Sequence, residues 1–128
     1  MAAAPAGRFR WADLAATDAA RATEFYAEMF GWSACPQAAN GGTFVRLEHE
    51  GQAFASLYQL RRSERDAGVA SHWTPYVQVD DVEAACARVI ALGGIVAVEP
   101  FAVDGVARIA LVVDPVGASF GLWQEPGG

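Results

Sequence analysis

The feature that most narrows the fold is an internal repeat. A strand-like run, a helical run and then several strand-like runs occur in that order, and the order begins again in the second half. Residues 9–15 alternate, with Trp11 and Asp13 on one side against Arg10, Ala12 and Leu14. Thr17 or Asp18 offers an N-cap, and residues 19–30 set Ala22, Phe25, Tyr26, Met29 and Phe30 at helical spacing before Gly31 ends the run. Strand-like runs at 43–48 and 52–59 flank a turn at 48–51, and residues 32–35 are a further strand candidate. Residues 76–79 then read as strand. Asp80 with Glu83 suggests a capping box, and residues 82–92 form a helix stopped by Gly93 and Gly94. Runs at 95–98 and 107–113 lie around Pro100 and Gly105, and residues 119–124 close the chain as a strand after the Asp114-Pro115-Val116-Gly117 turn.

The repeat can be checked by offset. Asp18 and Asp81 mark the two helix starts, 63 positions apart, while residues 55–59 match residues 120–124 at an offset of 65. Two insertions or deletions of about a residue each account for the difference. The expectation is an α+β protein built of two βαβββ modules, one over residues 8–60 and one over 73–125. Residues 61–72 join them as a charged surface connection with a helical turn. A chain of 128 residues that is 53% apolar buries a core as one domain.

Composition excludes several functions. A net charge of -6 disfavours nucleic acid and anionic membranes as partners. No apolar run reaches the ~18–20 residues needed to span a bilayer, and residues 1–7 are small and lack a signal-peptide core. The expected location is the cytoplasm. Cys35, in an expected loop, and Cys86, in a helical pattern, match no metal or redox spacing.

Three segments resemble the glyoxalase/bleomycin-resistance/extradiol-dioxygenase group, the vicinal oxygen chelate superfamily. They are Asp18 through FYAEMFGW (residues 25–32), YVQVDDVEAACARVIALGG (residues 76–94) and the Asp114-Pro115-x-Gly117 turn. The resemblance implies that the modules curl into a cupped, half-barrel sheet with helices on the convex side. It also implies metal ligands on the first and last strand of each module, at Trp11, Ser56, Thr74 and Gly121. Such a centre uses histidines and a carboxylate. Indole, two hydroxyls and a bare α-carbon supply neither, so no metal or other cofactor is expected. Asp13 and His72 are the nearest displaced candidates, and His49 sits in an exposed turn. Arg108 is a possible partner for Asp13.

By alternation, Trp11, Asp13, Ser56, Tyr58, Thr74, Tyr76, Gln78, Ser119 and Trp123 share the cavity face, away from the helices. Four aromatic rings among a few polar groups suit a small-molecule site, and they equally suit a filled barrel. The expected ligand-binding set is Trp11, Asp13, Ser56, Tyr58, Thr74, Tyr76, Gln78, Arg108, Gly121 and Trp123. A guest would stack between Trp11 and Trp123, and Gly121 would leave it room. The leading expectation is a metal-free binder of a small aromatic or apolar molecule. By resemblance it is a homodimer akin to the drug-sequestering members. The alternatives are a glyoxalase-type lyase or dioxygenase with displaced ligands, with Asp13 a candidate acid or base, and a non-catalytic accessory subunit.

Overall fold

The order strand, helix, three strands is present twice. The first copy is β1 (Phe9–Ala16), α1 (Ala19–Phe30), β2 (Ser33–Ala39), β3 (Gly42–His49) and β4 (Gln52–Gln59). A short helix α2 (Arg62–Asp66) follows, and the second copy is β5 (His72–Gln78), α3 (Val82–Ala91), β6 (Ile95–Val103), β7 (Ala107–Val113) and β8 (Ser119–Gln124). The structure is a computed structural model describing residues 6–40 and 42–126. The expectation for residues 1–7 falls mostly on residues 1–5, outside the described residues.

Contacts gather into two compact units. The first unit is Ala12–Thr74, and the second joins the chain up to Trp11 with everything from Pro75 onward. β1 and β5 therefore each begin in one unit and end in the other.

In the first unit the strand order is β2-β3-β4-β1. β1 and β4 run parallel, with Asp13 opposite Ser56, and the other neighbours are antiparallel. Leu14, Ala16, Leu47, Ala55 and Leu57 are buried on one face, where Ala22 and Tyr26 of α1 pack. Full burial of a leucine contributes about 1.5–3 kcal/mol, so Leu47 and Leu57, both fully enclosed, anchor this sheet. Around them Tyr26 stacks on Trp32 at 5.1 Å and meets the edge of Trp73 at 5.6 Å, and the Trp73 indole donates to the Tyr26 hydroxyl.

The second unit repeats the arrangement as β5-β8-β7-β6, with β8 parallel to β5. Val82 and Cys86 of α3 pack on Ala110, Val112 and Leu122. The other face carries Tyr76, Ala107, Ile109 and Trp123, with Trp11 against them.

The repeat extends to single hydrogen bonds. Asp18 accepts from the Arg21 amide and Asp81 from the Ala84 amide, so each aspartate caps its helix. The last residue of each copy then reaches the first helical amide: Gln59 Oε1 accepts from Ala19 at 2.9 Å, and Gln124 Oε1 from Val82 at 2.8 Å. These bonds tie the fourth strand of each copy to its own helix and satisfy a donor that no helical carbonyl can serve. Asp81 is the cap, not Asp80, and Glu83 joins no capping box.

Three strands differ from expectation. β2 extends well past residue 35, so Cys35 is in a strand and not a loop. β5 begins at His72, four residues early, and takes the end of the expected connection. β6 runs on through Pro100 to Val103, with register shifts on either side of Val98. It is the outermost strand of its sheet, where a missing amide donor is tolerated. Among the described residues no helix is long and apolar enough to cross a membrane.

Candidate functional site

In the second unit the aromatic side chains pack on one another. Trp123 and Tyr76 are 4% and 5% exposed. Trp11 and Trp123 stack directly, with ring centroids 5.1 Å apart and planes 24° apart. Tyr76 meets Trp123 edge-on at 5.9 Å, and the Arg10 guanidinium lies over both indoles while pairing with Glu125 at 2.6 Å. The two indoles already make the stack expected of a guest, so the expectation that one sits between them is corrected.

Gly121 is corrected too. It is the β-sheet partner of Tyr76, and a Cβ placed there would lie 2.1 Å from Cδ2 of the Tyr76 ring. The phenol ring occupies the space that the missing side chain leaves. The expected inward placement of Arg108 is corrected as well: it projects from β7 on the face of Ala110 and Val112, toward α3, and pairs with exposed Glu83. The Gln78 Oε1 and Trp123 Nε1 atoms are buried and have no hydrogen-bond partner among the described residues.

The first unit differs in character. On the face away from α1, Ser56 Oγ donates to Asp13 Oδ1 at 2.6 Å. Tyr58 is two residues further along β4, half-buried, on the same face. Asp13 is largely buried, and burial pushes its carboxyl above the ordinary value of 3.8; the Ser56 hydrogen bond and the charge of His72 oppose that rise. Tyr58 is also pushed up, first by burial and then by the Asp13 and Glu64 charges. His72 Nδ1 lies 2.8 Å from the Ala70 carbonyl. Thr74 follows it on β5, half-buried.

Sequence reasoning overlooked β2 and β3 on this face. Val45 and Leu47 point to α1, so alternation turns Arg46 and Glu48 to the Ser56 side, where they pair at 2.7 Å. Cys35 is the strand partner of Arg46. The alternation in Thr43-Phe44-Val45-Arg46-Leu47-Glu48 carried that signal.

The residues do not fit a divalent metal at the four implied positions. Trp11 is stacked, Gly121 is covered by a ring, Ser56 is bonded to Asp13, and Thr74 offers one hydroxyl. Among the described residues no three His, Cys, Asp or Glu side chains group as a metal-binding set.

The family model of the glyoxalase-like domain matches residues 11–123. The putative glyoxylase CFP32 of Mycobacterium bovis is 33% identical over 120 residues, which covers 92% of this chain and 46% of that protein. The anthracycline biosynthesis protein DnrV of Streptomyces peucetius is 31% identical over 126 residues, covering 90% and 46%. This chain thus spans less than half the length of these curated relatives. Among solved structures, methylmalonyl-CoA epimerase from Mycobacterium tuberculosis superposes with a TM-score of 0.71 at 17% identity, over 99% of this chain and 93% of that one.

Proposed function

The chain belongs to the glyoxalase-like domain family, within the vicinal oxygen chelate superfamily, and from that premise we propose that it is a metal-independent binder of a small aromatic or apolar molecule. The observation that carries this reading is what stands at the four implied ligand positions: a stacked indole, a serine bonded to Asp13, a lone threonine hydroxyl and a glycine covered by a ring. The binding face proposed is that of Asp13, Ser56, Tyr58 and Thr74 in the first unit. It combines an aromatic ring with a few oriented polar atoms, the make-up of a small-molecule site. Two relatives named for anthracycline biosynthesis support an aromatic guest.

Pairing of two copies belongs to the same proposal, since the relatives run to about twice this length. A cytoplasmic location does too. Light scattering on the purified protein checks the first: a particle of twice 13.5 kDa is expected.

A second reading is acid–base catalysis by Asp13. It is favoured by the upward shift of its carboxyl beside Tyr58 and His72. Elemental analysis and a thermal-shift screen of planar aromatic compounds test the main reading. Protein without stoichiometric transition metal, melting higher in the presence of an aromatic compound, is the expected result. A stoichiometric metal ion whose removal abolishes ligand binding would overturn it. Solvent deuterium appearing at the carbon beside a carbonyl in 2-oxo acids or thioesters would favour the second reading.

A further inference from the structure

The Asp13 carboxyl is largely buried. It enters no ion pair among the described residues, and its one hydrogen bond there is the neutral Ser56 hydroxyl to Oδ1. The other oxygen accepts nothing from the described residues, and Asp13 as a whole keeps partial exposure. The charged groups facing it from the surrounding elements are otherwise engaged. On β3, Arg46 is held by Glu48. Beside α2, Arg61 is held by Glu64. On β5, exposed His72 acts on Asp13 only through its charge, with its Nδ1 at the Ala70 carbonyl. A carboxylate taken this far out of water without a counter-charge is costly. A guest that brings the missing positive charge recovers that cost on binding.

Resting on the reading of this face as the guest site, we propose that Asp13 selects aromatic guests bearing an ammonium group, which pairs with the other carboxylate oxygen while the ring packs by Tyr58. The chain's net charge of -6 acts in the same direction. A charge-assisted hydrogen bond of this kind corresponds to a preference of roughly 10- to 100-fold over an uncharged group.

The test uses three probes with one ring system: 1-naphthylmethylamine, 1-naphthylmethanol and 1-naphthoate, titrated calorimetrically at pH 7.5. The wild-type chain should bind the amine roughly 10- to 100-fold more tightly than the alcohol, and the naphthoate least. Asp13→Asn, which keeps an acceptor for Ser56, should bring the three affinities together. Ser56→Ala, which keeps the carboxylate, should retain the preference for the amine. Equal affinity for amine and alcohol in the wild type, or a preference that survives Asp13→Asn, overturns this inference and leaves the binder reading intact. Failure of all three probes to bind overturns both.

Discussion

Gly121→Ala tests the packing of the second unit most directly. The new methyl carbon would lie 2.1, 2.2 and 2.8 Å from three carbons of the Tyr76 ring, where carbon atoms at ease sit about 3.5–4.0 Å apart. The ring cannot turn aside freely, because Tyr76 is 5% exposed and wedged against Trp123, Ala107 and Ile109. Overpacking a filled core costs about 1–3 kcal/mol and sometimes more; a clash this deep belongs at the upper end, about 3 kcal/mol. With about 2.1 cal/mol/K of unfolding entropy per residue, that lowers the melting temperature by about 10 °C. A double-mutant cycle isolates the cause. Tyr76→Ala alone costs about 3–5 kcal/mol. In that background Gly121→Ala should cost nothing and gain a few tenths of a kcal/mol, since alanine narrows the unfolded ensemble. Thermal and urea denaturation of the four proteins measure the coupling. A Gly121→Ala protein that melts with the wild type, or that loses equal stability with and without the Tyr76 ring, would refute the reasoning. Either result would mean that the ring does not cover the glycine.

Asp13→Asn should raise the melting temperature at pH 7.5. Burial favours the protonated carboxyl in the folded state, so ionisation opposes folding; the penalty sets in as pH rises above the ordinary 3.8 and is complete above the raised folded-state value. The advantage of the variant should therefore fade as the pH is lowered toward 3.8, and an advantage that grew on acidification would contradict the assignment. Asp81→Ala should cost about 1 kcal/mol through loss of the α3 cap, a fall of roughly 3–5 °C, while Asp80→Ala should leave the melting curve in place. Arg108→Ala should change neither probe affinity nor melting temperature in the assays above, because its pair with Glu83 is exposed and on the helix side.

Much of the fold was legible because period and punctuation agreed. β4, β7 and β8 occupy the residues that alternation assigned to them, and Gly31 ends α1 in the left-handed conformation. β1 and β3 match to within a residue at each end, while β2, β5 and β6 were partly hidden by composition. Ser33-Ala34-Cys35-Pro36-Gln37-Ala38-Ala39 has little intrinsic strand preference, and it is held extended by pairing with β3 along its whole length. Pro100 reads as a break, but it lies on an outermost strand, where a missing donor is tolerated. Between two adjacent aspartates, the sequence alone could not choose the cap. For the candidate site, alternation assigned Asp13, Ser56, Tyr76 and Trp123 to the face away from the helices. It could not say what fills the space above that face. An absent side chain at Gly121 reads as room, yet the partner strand supplies a ring to that room. The Asp13–Ser56 bond joins residues 43 positions apart, and only the parallel register of β1 on β4 brings them together.

The outermost strand of each sheet, β2 and β6, carries a proline, Pro36 and Pro100. In β6 the ladder slips on both sides of Val98, close to that proline, although Ile95, Val98 and Phe101 are exposed. A foreign chain seeking to add itself there meets a broken template, with a donor missing and the spacing out of step. Sticky margins of this sort invite fibres in other sheet proteins. Here they are blunted, which disfavours growth by edge-to-edge pairing.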